Sequence, residues 1–134
     1  MKRILLSISF SLSVVLISLS FSSYSAQAAA RDFFKCKLVE GAKQEAMEKV
    51  AADFMKIVRK EKIKGYSMEL LWPLYSQDIS RGSFYWSGTA PNAAKVAGME
   101  EFWGDNDANK DVRKRFGEIA SCESSSIYMV STIK

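Results

Sequence analysis

Aromatic side chains that could enclose a small molecule are concentrated in one part of the chain. The stretch "SFYWSGT" places Phe84, Tyr85 and Trp86 in succession. Such rings can line a pocket for a planar apolar molecule, with a few polar groups to orient it. The predicted ligand-binding residues are Tyr66, Trp72, Tyr85, Trp86 and Trp103, and the polar groups available to them are Tyr85, Glu69, Asn92 and Arg81. Packing in a core or an interface is the alternative for the same rings, because aromatic residues at strand spacing are more often structural.

Histidine is absent from all 134 residues, which restricts the chemistry that the chain can perform. Without it there is no Ser-His-Asp or Cys-His arrangement, no usual haem ligand and no histidine ligand for zinc. The seven glycines are scattered and form no phosphate-binding loop. We therefore expect no cofactor and no metal, and the sequence favours a binding role over catalysis.

The segment "GDNDANKD" has acidic and amide residues at alternate positions, as in the first half of a calcium loop of the EF-hand type. The glycine that such a loop requires is replaced by Lys110, and its last position is Phe116 instead of a bidentate glutamate. Turn and helix-capping chemistry of Asp and Asn explains the same residues. The sequence favours this second explanation.

Cys36 and Cys122 are the two cysteines of the chain, one near each end of the predicted domain. An isolated pair in an exported protein most simply forms a structural disulfide. A redox or metal pair is the alternative, but no Cys-x-x-Cys is present and two thiols without histidine make a poor metal site.

The first 28 residues have the pattern of an export signal. Lys2 and Arg3 precede an apolar stretch, and Ala26-Gln27-Ala28 is a small-x-small cleavage site. A membrane anchor is the alternative, and the serines throughout the stretch weigh against it. We expect residues 29–134 to form one soluble domain without a stable membrane anchor, either periplasmic or secreted.

Electrostatics give no support to a nucleic-acid partner. The formal net charge of the whole sequence is +4, from 19 basic and 15 acidic residues. Removal of Lys2 and Arg3 with the signal leaves 17 basic residues and a net charge of +2. The basic character therefore belongs partly to the signal, and we expect no binding to nucleic acid.

Hydrophobic periodicity predicts the order β-α-β-β-α-β after a short leader at residues 29–32. Alternation predicts strands, and a three-four spacing of apolar residues predicts helices. The predicted strands are residues 33–39, 66–75, 83–89 and 122–133, and the predicted helices run from Ala42 to Gly65 and from Pro91 to about Trp103, with a short helical segment at 108–116. This order predicts an α+β, ferredoxin-like fold with a four-stranded antiparallel sheet. Its first and last strands are neighbours, which agrees with the cysteine pair.

Bulky apolar residues on both faces of the predicted sheet indicate self-association. Two helices cover one face, yet Leu71 and Tyr85 point to the face opposite the other large residues of their strands. Soluble monomers rarely expose a large apolar patch. We therefore expect a homodimer with packed sheets, with a ligand cavity between the sheets or between sheet and helices as a compatible feature.

The element order, the two-faced sheet and the pattern "WSGTAP" before a helix that contains "EEFW" resemble the dimeric α/β-barrel superfamily. That superfamily includes antibiotic-biosynthesis-type monooxygenases and stress-responsive barrel domains. The chain is also similar to small exported bacterial proteins that have a cysteine in the first and the last strand. The resemblance implies a dimeric barrel and cofactor-independent oxygenase or isomerase chemistry. Haem-handling members use a histidine, so that function is not implied here.

Three functions are consistent with the sequence. The first is an exported homodimer that binds a small apolar or aromatic molecule. The second is a cofactor-independent monooxygenase or isomerase of the same fold. The third is a protein-interaction module whose apolar sheet face binds a different protein.

Overall fold

The structure, a computed structural model, describes residues 29–75, 82–131 and 133. Within them, a four-stranded sheet is packed against three helices. The strands are β1 (Ala30–Leu38), β2 (Ser67–Leu71), β3 (Ser83–Ala90) and β4 (Ala120–Met129), and the helices are α1 (Gln44–Lys60), α2 (Ala93–Asp105) and α3 (Lys110–Ile119), with a 3-10 turn at Asp107–Asn109. The predicted signal at 1–28 and most of the β2–β3 turn lie outside the described residues.

The sheet has the strand order β2-β3-β1-β4, and all neighbouring strands are antiparallel. This is the order of the ferredoxin-like fold, so the predicted fold is confirmed. β1 and β4 are adjacent, and Cys36 pairs with Cys122 across them. A disulfide joins these two cysteines, as the sequence predicted. No helix in the part of the chain that the structure describes is long and apolar enough to cross a membrane.

The first strand begins earlier than predicted. Residues 29–32 were expected to be a leader, but β1 starts at Ala30. Ala30 pairs with Ala90 of β3 and with Met129 of β4, so both neighbouring strands hold the segment in place. Main-chain pairing on both sides outweighs the poor strand preference of Asp32.

The first helix ends earlier than predicted, at Lys60 instead of Gly65. The Glu61 N–H still donates to the carbonyl of Ile57. Lys62 then adopts a positive φ of 57°, the conformation expected of a glycine cap. Gly65 also has a positive φ, of 78°, and a Cβ there would in addition lie 2.9 Å from Cγ of Pro91.

Other boundaries shift by a few residues. β2 and β4 are shorter at their C-terminal ends than predicted, and α3 extends to Ile119. The N-cap of α2 is Asn92, whose Oδ1 accepts from the Lys95 N–H at 2.9 Å.

The hydrophobic core lies between the helices and one face of the sheet, which we call the inner face. α1 buries a stripe at helical spacing, and β1 and β3 present alternate residues to it. The buried apolar residues of this layer include Met47, Val50, Phe54, Val58, Cys36, Phe84, Trp86 and Met99.

The opposite, outer face of the sheet carries aromatic residues that are exposed or half-buried. Phe33 contacts Tyr85 and Tyr128 edge to face, with ring centroids 6.1 and 5.5 Å apart. Beside them Arg31 forms an ion pair with Glu69 at 3.1 Å. The outer face is therefore partly apolar, as predicted, although polar side chains interrupt it.

Candidate functional site

A cavity of about 270 Å³ lies between the inner face of the sheet and the helices. Every layer of the domain contributes to its wall. The lining residues are Asp32, Phe34, Phe54, Tyr66, Trp86, Met99, Glu100, Trp103, Phe116 and Cys122. An apolar cavity of about 150 Å³ is large enough for benzene, so this one has room for an aromatic ring with a short side chain.

Most of the cavity wall is aromatic, and the rings hold one another in place. Trp86 of β3 lies 5.4 Å from both Trp103 of α2 and Phe116 of α3, measured between ring centroids. Phe54 of α1 meets Trp103 edge to face at 5.0 Å. Because each ring packs on rings from other elements, the wall is preformed by the fold.

The polar group deepest in this wall is the carboxyl of Asp32, a residue only 2% exposed. Asp32 lies between the Arg31–Thr89 and Phe34–Trp86 pairs of the β1–β3 ladder. At this point hydrogen bonds that involve side chains connect the two strands. Oδ1 of Asp32 accepts from the Gly88 N–H. The Ser87 hydroxyl donates to the Asp32 carbonyl at 2.8 Å. Both the backbone and the side chain of Asp32 are therefore fixed.

Tyr66 reaches the same place from the segment before β2, and Gly88 makes room for it. A Cβ at Gly88 would lie 2.7 Å from Cε2 and 2.8 Å from Cζ of the Tyr66 ring, with the hydroxyl closer still. Real Cβ atoms essentially never approach other atoms so closely. The absence of a side chain at Gly88 thus lets the phenol lie beside the main-chain N–H that Asp32 accepts.

Burial perturbs both ionisable groups. The pKa of Asp32 is raised, mainly because burial disfavours the carboxylate, and the negative charge of Glu100 raises it further, while the Gly88 N–H acts in the opposite direction. The pKa of Tyr66 is raised well above its ordinary value by burial and then by Asp32. Tyr66 is therefore a neutral hydrogen-bonding group, and Asp32 is a carboxyl group that can exchange a proton nearer neutrality than usual.

Three of the five predicted ligand-binding residues meet at this cavity, namely Tyr66, Trp86 and Trp103. The other two lie elsewhere. Trp72 packs on Phe84 with ring centroids 4.6 Å apart, outside the lining. Tyr85 is on the outer face against Phe33. The structure locates these side chains, and their contact with a ligand stays a prediction.

The predicted polar contacts also lie elsewhere. Glu69 is paired with Arg31 on the outer face, and Asn92 caps α2. Arg81 is outside the described residues.

Sequence reasoning missed the two charged groups of the lining, Asp32 and Glu100. A signal for Asp32 was present, because counting back by two from the inner-facing Cys36 reaches Phe34 and then Asp32 on the same face. Glu100 is four residues after the buried Val96, which places it on the same side of α2. Its side chain is largely exposed, so it lies at the solvent side of the cavity.

The "GDNDANKD" segment has a structural role. The Asn106 side chain accepts from the Ala108 N–H at 2.8 Å and caps the 3-10 turn, and the amide of Asn109 donates to the Phe102 carbonyl at 2.6 Å. Among the described residues, no group of three or more cysteine or carboxylate side chains is placed to hold a metal ion.

Similarity to known proteins is found in the fold and not in the sequence. No protein-family model matches the chain, and a search of curated protein sequences returns no match either. The structure is similar to SnoaB, a cofactor-independent oxygenase from Streptomyces nogalater (TM-score 0.52, 10% identity, 79% of this chain and 96% of that chain covered). It is also similar to a hydroxynitrile lyase from Passiflora edulis (TM-score 0.50, 14% identity, 80% and 97% covered). A third similar structure is a putative antibiotic biosynthesis monooxygenase from Caulobacter crescentus CB15 (TM-score 0.50, 17% identity, 81% and 93% covered).

These similarities bear out the resemblance in fold that the sequence indicated. At this level of identity they concern the fold alone.

Proposed function

We propose that this chain is an exported homodimer that binds a small aromatic molecule in the cavity between the sheet and the helices. The observation that carries the proposal is the preformed aromatic wall, in which rings from α1, α2, α3 and β3 surround the space and a buried carboxyl lies at one side. A largely apolar concave site with few, well-placed polar groups is typical of small-molecule binding.

Retention of a ligand tests the binding proposal. The purified protein is incubated with a mixed metabolite extract and examined by native mass spectrometry, and we expect a retained small molecule. Trp103→Leu, which changes the cavity wall, should weaken retention about tenfold, equivalent to about 1.4 kcal/mol. Trp72→Leu is the matched control, because it removes a tryptophan outside the lining. Equal loss in both variants, or no retained molecule in the parent protein, would argue against the cavity as the binding site.

The homodimer is proposed from the outer face. Phe33, Tyr85 and Tyr128 form a contiguous group of rings there, and Tyr128 is 55% exposed. A second copy that packs its own outer face against this one would remove these rings from water, because the same patch of both copies meets in a two-fold interface. Light scattering should give the mass of two chains, and Tyr85→Lys should shift it toward one.

Export is proposed from the sequence pattern of the first 28 residues and is compatible with the Cys36–Cys122 disulfide. The intact mass of the protein recovered from producing cells tests it. We expect a chain that begins near Ala29, and a full-length chain retained inside the cell would contradict export.

A second candidate function is cofactor-independent catalysis, and the Asp32 carboxyl favours it. A proton shift within a bound substrate needs a positioned acid–base group, and Asp32 is buried in the cavity wall with a raised pKa. SnoaB, similar in fold, is a cofactor-independent oxygenase. Oxygen consumption and product analysis with electron-rich phenols test this candidate. Turnover that survives in Asp32→Asn would remove Asp32 from the mechanism.

The third candidate, a protein-interaction module, rests on the same exposed rings of the outer face. It requires that this face remain free in the isolated protein. The light-scattering measurement therefore separates it from the homodimer, because a monomer at all accessible concentrations would favour a different protein as the partner.

A further inference from the structure

The charged groups that line the cavity all have the same sign. Asp32 and Glu100 contribute carboxyl groups, and none of the lining residues among the described parts of the chain is lysine or arginine. The charge that acts on Asp32 is again negative, because it comes from Glu100. Arg31, the neighbour of Asp32 in β1, is committed to Glu69 and Thr89 on the outer face. The cavity lining thus carries two carboxyl groups and no basic side chain.

The aromatic wall has the same electrostatic preference. The face of an aromatic ring carries negative charge density and attracts cations, most strongly for tryptophan and more strongly where water is excluded. Two tryptophans, three phenylalanines and the Tyr66 ring line this space, and Trp86 and Phe54 are 7% and 2% exposed. The rings and the carboxyl groups therefore both favour a positively charged ligand.

From this combination we infer that the ligand is a small organic cation, a protonated amine on an aromatic or compact apolar body. The inference rests on the proposed binding function and specifies its ligand class. The apolar body packs among Trp86, Trp103 and Phe116, and the ammonium group donates to the carboxylate of Asp32. Glu100, at the solvent side, attracts the cation as it enters.

Other ligand charges fit the cavity poorly. An anion would meet two carboxylates in a space that water only partly screens, and like charges there are strongly unfavourable. A neutral molecule would leave Asp32 buried without a charge partner, although burial of an ion is tolerated mainly when it is paired. A cation of suitable size compensates for this burial, because an opposite charge beside Asp32 favours its carboxylate form.

Three probes with the same phenylethyl body and different charge test the inference. They are 2-phenylethylamine, 2-phenylethanol and 3-phenylpropionate, titrated by calorimetry into the chain that begins near Ala29 at about pH 7.5, well above the ordinary carboxyl range near pH 4. We expect the amine to bind at least tenfold more tightly than the alcohol, and the carboxylate to bind most weakly.

Variants assign the preference to the two carboxyl groups. Asp32→Asn keeps an oxygen that can accept from the Gly88 N–H and should reduce the amine-to-alcohol preference at least fivefold. Glu100→Gln, at an exposed position where substitution is well tolerated, should reduce it about twofold. Glu101→Gln is the matched control, because this neighbouring glutamate of α2 is outside the lining.

The outcomes separate the ligand class from the binding function. If the alcohol binds as tightly as the amine, or if neither Asp32→Asn nor Glu100→Gln lowers the preference while both remain folded, the cation inference is overturned and small-molecule binding stands. If none of the three probes binds, the cation inference is overturned, and the metabolite-retention experiment decides separately whether the cavity binds a small molecule.

Discussion

Replacement of Gly88 by alanine is the most direct test of how the cavity wall is built. The added methyl would lie 2.7 Å from Cε2 of Tyr66, a ring that is rigid and largely buried. The ring must move or the strand must shift, and forcing extra atoms into a packed core costs about 1–3 kcal/mol of folding stability. The φ of Gly88 is not in the left-handed region, so backbone strain adds nothing to this cost.

Gly98→Ala provides the matched comparison for the same chemical change. Gly98 is an exposed residue inside α2, and a Cβ there would meet no atom within 4 Å. Alanine is preferred to glycine in a helix interior, so this variant should gain about 0.5–1 kcal/mol. The two glycine-to-alanine variants are thus expected to change stability in opposite directions.

Urea unfolding followed by tryptophan fluorescence measures both effects, with the double variant Gly88→Ala/Tyr66→Ala as an internal check. Removal of the Tyr66 ring should make Gly88→Ala neutral or stabilising, and the difference between the two backgrounds is the coupling energy. A Gly88→Ala protein as stable as the parent would refute the packing argument. If Gly88→Ala destabilises the protein equally when the Tyr66 ring is absent, the added methyl group clashes with a different part of the protein.

Three further predictions concern other contacts of the fold. Reduction of the Cys36–Cys122 disulfide, which spans 86 residues of sequence, should lower the free energy of unfolding by about 2–5 kcal/mol in urea titrations with and without reductant, and an unchanged midpoint would contradict this. Asp32→Asn should stabilise the protein relative to the parent by an amount that grows as the pH rises from 3.8 through the raised folded pKa and is constant above it, because the unfolded carboxyl ionises before the folded one. A difference independent of pH throughout would show that Asp32 does not titrate in this way. Asn92→Ala should lower stability by about 1 kcal/mol in thermal unfolding, since it removes the acceptor for the Lys95 N–H, whereas no change would mean that this cap contributes nothing.

The fold could be predicted because several sequence signals agreed. The alternation around Trp86, the helical stripe of α1 and the positions of Cys36 and Cys122 each indicated the same arrangement of strands and helices. The position of Gly82, which has a φ of +85° just before β3, also fits the connection from β2 to β3. These features depend on local pattern, which is visible in a sequence.

The polar part of the site could not be predicted in the same way. Asp32 lies in a strand end that has weak strand preference, so its inward orientation depends on pairing with strands that are distant in sequence. Trp72 and Tyr85 have the same residue types and spacing as the rings that line the cavity. The choice between cavity, core and outer face depends on which helix covers which part of the sheet, and local periodicity does not specify that.

The disulfide also has a consequence for how the sheet can come apart. β4 is an edge strand with a single neighbour, β1, and the covalent link lies near its first residues. Local opening must therefore proceed inward from the Met129 end and stop at Cys122. The amide protons of the last residues of β4 will exchange with solvent first, while the Cys122 end, beside the cavity wall, keeps its place until the whole domain unfolds.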